Sequence, residues 1–235
     1  MIPLRPVMAI TDVIIPAFNE EKSIGLVLKE IPQDKVRQVV VCNNHSTDRT
    51  REVALAHGAM VVDEMNKGYG YACLRAMEHI RHSRPEPDLI VFLDGDHSDY
   101  PEQLPELTAP ILRDGYDLVI GSRALGHPEK GSMTLPQRFG NWLATHMIRW
   151  LYGYRFTDLG PFRAIRYKKL LELNMCDKTY GWTVEMQVKA AKLGFRCTEV
   201  PVKYRRRIGV SKVSGTIKGT ILAGFKIIWT ILKLL

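Results

Sequence analysis

Asp94, Gly95 and Asp96 follow directly on the apolar run Asp88-Leu89-Ile90-Val91-Phe92-Leu93. Two carboxylates one residue apart at the end of a buried strand turn toward one point. They offer hard oxygen ligands to a divalent cation, Mg2+ or Mn2+, whose other positions suit substrate phosphates. Asp-Gly is also an ordinary turn dipeptide, so the pair by itself leaves a turn and a metal site open, and its setting favours the metal. Similar polar clusters follow three other apolar runs: Ala17-Phe18-Asn19-Glu20, Asn43-Asn44-His45-Ser46-Thr47-Asp48 and Gly121-Ser122-Arg123.

The runs that must position these clusters read as strands over 12–16, 37–42, 59–63, 88–93 and 117–120. Helical patterns fall between them over 20–31, 48–57 and 69–82. Strands alternating with helices predict an α/β fold, a doubly wound and mostly parallel sheet. The strands are apolar throughout, as expected where helices cover both faces. Ligands of such sheets bind at the carboxyl ends of the strands, where all four polar clusters stand. Later helices are predicted over 137–152 and from Gly181 to Leu193. Residues 1–212 read as one domain, followed by a C-terminal amphipathic helix within 213–235.

Composition narrows the class. A chain of 235 residues, 46% hydrophobic and 25% charged, has the make-up of one globular α/β domain rather than a disordered segment. The net charge of +8 is unevenly placed: Lys203–Leu235 holds five lysines, three arginines and no acid, and the preceding residues are neutral overall. That asymmetry predicts an anionic partner for the C-terminal end. The four cysteines, Cys42, Cys73, Cys176 and Cys197, have neither zinc-site nor disulfide-framework spacing and read as buried thiols. The N-terminus lacks an apolar core and cleavage site of the signal-peptide kind, so the expected location is cytoplasmic.

Several motifs are weighed against plainer readings. Gly68-Tyr69-Gly70-Tyr71-Ala72-Cys73 approaches a dinucleotide fingerprint but follows the third strand and lacks the last small position. His45, His97, His127 and His146 share no metal spacing. Arg205-Arg206-Arg207 has no nucleic-acid recognition motif beside it, so phosphate is preferred over nucleic acid as its partner.

Taken in order, these motifs resemble those of the inverting, family-two glycosyltransferases of GT-A fold. The resemblance is strongest to polyprenyl-phosphate glycosyltransferases such as dolichol-phosphate mannose synthase, and spans about Asp12 to Lys212. It implies that Pro16, Ala17 and Glu20 line the base and ribose of a nucleotide-sugar donor. Asn44 takes the place of a base-reading aspartate, and Lys67 and Gly68 lie in a loop over the donor. Asp94 and Asp96, around Gly95, hold the metal on the diphosphate, and Ser98 can add a ligand. Arg123 faces the reacting phosphates. Arg206, Ser211 and Lys212, in the pattern Arg-x-x-Gly-x-Ser-Lys, grip the diphosphate. Asp158 and Arg163 lie in an acceptor-side loop, with an Asp–Arg structural pair as the plainer reading. Arg123, Arg138 and Arg163 supply positive charge for an acceptor phosphate. Glu185 is the general base if the acceptor is a hydroxyl; an ionised phosphate needs none.

The resemblance departs at Asn43-Asn44, where relatives carry two aspartates, which leaves uracil and guanine both open as the donor base. A sugar nucleotidyltransferase is the first alternative. It requires a Gly-rich basic loop after the first strand, and Ala17-Phe18-Asn19-Glu20 is not one. A silent membrane-associated binding protein is the other, and intact Asp94, Asp96 and Lys212 weigh against it. At 100° per residue, Lys218, Lys226 and Lys233 fall within about 80° of one another. The C-terminal helix is therefore expected to lie on the membrane surface with its lysines at anionic head groups, the protein being peripherally attached. The plainer reading packs this helix on the domain.

Overall fold

The computed structural model describes residues 9–209 and 217–235. A seven-stranded sheet runs in the order β3-β2-β1-β4-β6-β5-β7. The strands are β1 (Thr11–Ala17), β2 (Gln38–Asn43), β3 (Met60–Asp63), β4 (Leu89–Phe92), β5 (Leu118–Ser122), β6 (Arg163–Arg166) and β7 (Cys197–Pro201). All pairings are parallel except those of β6, which runs antiparallel to both β4 and β5. The helices are α1 (Ile24–Glu30), α2 (Thr50–Ala56), α3 (Tyr69–Arg81), α4 (Leu104–Asp114), α5 (Leu135–Tyr152), α6 (Tyr167–Glu172), α7 (Trp182–Lys192) and α8 (Ile217–Lys233). The mostly parallel α/β sheet predicted from the sequence is thus present, with β6, β7, α4 and α6 added to it.

Side chains alternate across the strands into two cores. Ile14, Val40, Ile90 and Phe92 pack on the face that carries α3, α5 and α7. Val13, Ile15, Val39, Val41 and Val91 pack on the face that carries α1 and α4. Covering both faces is why the strands are apolar without alternation. Strand β1 pairs with β2 on one side and β4 on the other, so chain direction across the sheet reverses there. Such a reversal opens a crevice at the strands' carboxyl ends, and Ala17 and Asp94 stand at its mouth.

Helix α5 is started by a capping box in which Thr134 and Gln137 satisfy each other's backbone N–H. Gly153, at φ 70°, ends it in the left-handed conformation. Helix α8 packs on α5 and α7. It buries Thr230 and Ile231 and leaves Ile221, Leu222, Phe225, Trp229 and Leu232 exposed. This corrects one expectation. Lys226 turns to the domain, its Nζ 2.8 Å from Asp177 Oδ2, because a buried carboxylate offers a better partner there than solvent. Lys233 is exposed, and the side chain of Lys218 lies outside the description. Among the described residues no helix is long and apolar enough to cross a membrane. Of the thiols, Cys42, Cys73 and Cys197 are buried as expected, whereas Cys176 is exposed.

Candidate functional site

The end of β4 delivers Asp94 into a cavity of about 330 Å³ at the sheet's reversal point. The Tyr69 hydroxyl, from the first turn of α3, donates to Asp94 Oδ1 at 3.0 Å. Burial, and then the charge of Asp96, push the Asp94 carboxyl up to about 7. Asp96 Oδ1 accepts from the Ser98 backbone N–H at 2.9 Å and from its hydroxyl at 2.5 Å. Its other oxygen faces Arg207, with Nη1 3.2 Å away. Arg207 also donates to Glu20 Oε1 at 3.0 Å, and Ser23 donates to Glu20 Oε2 at 2.9 Å. Burial, and then the charges of Asp94 and Asp96, raise the nearby Asp99 carboxyl well above the ordinary range.

Two crowded carboxylates of this kind form a donor set that a hard dication would relieve of mutual repulsion. Among the described residues no group of three or more His, Cys, Asp or Glu is placed to hold a metal. Asp94 and Asp96 would be the protein's share of such a site, and their crowding fits a dication.

The structure brings most of the sequence-derived candidates together. Pro16, Ala17, Glu20, Asn44, Lys67 and Gly68 line the same cavity as Asp94, Gly95 and Asp96. Lys67 Nζ sits 5.4 Å from the centre of the Phe18 ring. An adjoining cavity shares Tyr69, Asp94, Asp96, Thr179, Tyr180 and Arg207 with the first. It continues past Arg123 to Gly140 of α5 and Gly224 of α8. The first cavity is thus lined mainly by residues up to Asp96, the second mainly by residues from Arg123 onward. Arg138 and Arg123 meet in a third recess beside α5.

Other candidates take different places. Glu185 does not line either cavity: in the first turn of α7 and 2% exposed, it accepts from the backbone N–H groups of Cys176 and Asp177 and pairs with Lys189 at 2.7 Å. A carboxylate so held clamps the start of the 176–181 loop. Arg163 is fully buried, donating to the carbonyls of Leu159, Gly160 and Thr183, so it cannot meet an acceptor. Asp158, also fully buried, forms the structural pair, but with Arg123: two guanidinium bonds of 2.7 and 2.8 Å and a backbone bond of 2.7 Å. It fixes the orientation of Arg123. Ser98 lies behind Asp96, fully buried, and orients it.

Arg206 points outward to the Lys130 carbonyl. In an extended segment successive side chains alternate, so Arg205 and Arg207 turn inward, to Glu30 and to Asp96 respectively. Asn44 gives its amide to the opposite loop, donating to the Asn66 carbonyl at 2.7 Å and accepting from the Gly68 N–H at 2.8 Å. It therefore ties down the segment carrying Lys67 instead of presenting a vacant amide oxygen to a base. Ser211 and Lys212 lie outside the described residues.

Sequence reasoning missed Arg207, Tyr69, Thr179 and Tyr180. The alternation of the arginine triplet carried a signal for Arg207. Tyr69 stood inside the near-fingerprint, and Thr179 and Tyr180 had no local motif.

Comparison with known proteins identifies the family. The profile described as Glycosyl transferase family 2 matches residues 12–173. An uncharacterised glycosyltransferase of Mycobacterium tuberculosis (strain H37Rv) is 36% identical over 213 residues, 90% of this chain and 93% of its own. The dolichyl-phosphate hexose transferase of Haloferax volcanii is 33% identical, over 86% of this chain and 85% of its own. The undecaprenyl-phosphate mannosyltransferase of Micrococcus luteus is 32% identical, over 88% of each. Among solved structures, glucosyl-3-phosphoglycerate synthase of M. tuberculosis, in complex with Mn2+, UDP-glucose and phosphoglyceric acid, superposes with a TM-score of 0.74 at 22% identity. That match covers 96% of this chain and 79% of the other. With its profile match, its relatives and its carboxylate pair at the sheet's reversal point, the chain belongs to glycosyltransferase family 2.

Proposed function

We propose that this glycosyltransferase moves a hexose from a UDP- or GDP-linked donor to a polyprenyl phosphate presented at a membrane surface. The observation that carries the acceptor is the make-up of the second cavity. Among the described residues its only carboxylates are Asp94 and Asp96, which are assigned to the metal. A hydroxyl acceptor needs a base within about 3 Å, and Glu185 is held elsewhere. An ionised phosphate attacks without one, and Arg123 lies on this wall with Arg138 in the neighbouring recess. The polyprenyl-phosphate transferases among the relatives support the same acceptor class. The Mn2+ and UDP-glucose complex of the structural neighbour supports the donor class.

In this mechanism Asp94 and Asp96 would hold Mg2+ or Mn2+, and the ion would supply positive charge for the leaving diphosphate. Arg207 and Lys67 add fixed positive charge along the same wall. Tyr69 and Ser98 fix the orientation of the two carboxylates, and Asn44 holds the Lys67–Gly68 segment over the donor. Asp158 keeps Arg123 aimed at the acceptor phosphate. Attack from the acceptor side in one displacement inverts the anomeric carbon. The exposed apolar face of α8 rests on the membrane and brings the second cavity to the lipid phosphate.

The test is a panel of UDP- and GDP-sugars offered with Mn2+ and either undecaprenyl phosphate or 3-phosphoglycerate. Lipid-linked sugar from one donor is the expected product. Turnover with phosphoglycerate alone would replace the lipid reading with the acceptor type seen in the structural neighbour's complex.

A further inference from the structure

The segment Cys176–Gly181 supplies Thr179 and Tyr180 to both cavities, yet no strand or helix includes it. It is held from three sides. Glu185 of α7 accepts the Cys176 and Asp177 N–H groups. The first turn of α3 lies so close that a Cβ on Gly70 would meet the Asp177 carbonyl at 2.0 Å, and the Tyr71 N–H donates to the Lys178 carbonyl at 3.1 Å. The third side is α8. Asp177 Oδ1 accepts the Thr179 and Gly181 N–H groups at 2.8 and 3.1 Å, while Oδ2 is paired with Lys226 Nζ at 2.8 Å. A Cβ on Gly181 would meet Thr230 of α8 at 2.5 Å, so helix and loop are in direct contact.

We propose that Lys226 is a positioning residue for the donor site: through its ion pair with Asp177, α8 holds the Thr179–Tyr180 segment against the cavity, so that donor affinity depends on how α8 is seated. The inference rests on the proposed donor reading. Asp177 is one carboxylate with two jobs, folding its own loop through one oxygen and gripping α8 through the other. Losing the ammonium leaves a buried carboxylate without its countercharge, and the loop that it organises is the one that faces the donor.

The test uses the full chain with Lys226→Met and the conservative Lys226→Arg. Binding of UDP and of GDP with Mn2+ is measured by calorimetry. Hydrogen exchange is read at the Thr179 and Gly181 amides. Expected for Lys226→Met is a roughly tenfold loss of nucleotide affinity, a coupling typical of contacting residues, with faster exchange at both amides. Lys226→Arg should restore both to within about twofold of the parent protein. If Lys226→Met fails to fold, Asp177→Asn keeps the oxygen that accepts Thr179 and Gly181, removes the charge, and carries the same expectations. Unchanged affinity in a folded variant would overturn the proposal, since a purely structural pair lowers the melting temperature alone. If the parent protein binds neither nucleotide, the functional reading fails instead, and unchanged exchange at the two amides would then overturn the positioning role separately.

Discussion

Arg207 and Arg206 are neighbours in sequence with opposite surroundings, one facing Asp96 and Glu20, the other a backbone carbonyl at the surface. Arg207→Ala should weaken binding of a nucleoside diphosphate with Mn2+ by one to two orders of magnitude, as loss of a charge-assisted contact of about 1.5–3 kcal/mol implies. Arg206→Ala should leave it within about twofold, calorimetry distinguishing the two. Asp94 makes a second prediction. Burial and Asp96 raise its carboxyl to about 7, so the folded protein keeps a proton that the unfolded chain releases near pH 4. The contribution to stability is therefore nil below about pH 4, turns increasingly unfavourable up to about pH 7, and is constant above. A metal binds only the ionised pair, so Mn2+ should raise the melting temperature more at pH 8 than at pH 6. Equal shifts at both pH values would remove Asp94 from the metal site. At this scale the sequence revealed residue types better than directions. The Asp94–Asp96 pair was legible because a strand end forces both carboxylates outward, whereas Arg206 and Arg207 differ only by the register of an extended segment.

Glu185 shows how an element can recruit a residue that looks chemical. It stands at the start of α7, where a carboxylate suits the helix N-terminus, and it clamps the loop that precedes that helix. Glu185→Gln should lower stability by roughly 1–3 kcal/mol, as two amide bonds weaken and Lys189 loses its partner. The expected activity per folded molecule lies within about tenfold of the parent protein's, the loss coming from donor affinity as the loop loosens. A loss of several orders of magnitude with the fold intact would restore the hydroxyl-acceptor reading. The strands β1, β2, β4 and β5 were legible as apolar runs closed by polar clusters. Strand β6 was not: only Ala164 and Ile165 stand between Arg163 and Arg166, and a fully buried arginine gives no apolar signal. Strand β7, Cys-Thr-Glu-Val-Pro at the sheet's edge, is equally mute. Helix α8 was visible from its apolar spacing, but which way Lys226 points depended on Asp177, 49 residues away.

At the scale of the molecule, α5 and α8 lie side by side, and neither contains an acidic residue. Phe139, Trp142 and Trp150 of α5 are exposed, as are Phe225 and Trp229 of α8. Such a surface should bind vesicles of anionic lipid, and more weakly in high salt. Replacing Phe225 and Trp229 together by alanine should reduce binding at least tenfold, since each aromatic contributes about 1.5–3 kcal/mol when buried. Sedimentation with vesicles reads the effect, and a protein indifferent to lipid would leave this face to another partner. The two cavities have a further consequence, for how such enzymes diversify. Residues that would recognise the donor come mostly from before Asp96, and those on the acceptor side mostly from after Arg123. One specificity can drift, or be exchanged between relatives by a crossover near the turn at Gly115, while the other is inherited unchanged. Tyr69, Asp94 and Asp96 before that turn and Thr179, Tyr180 and Arg207 after it, all common to both cavities, are the positions where the two histories must stay compatible.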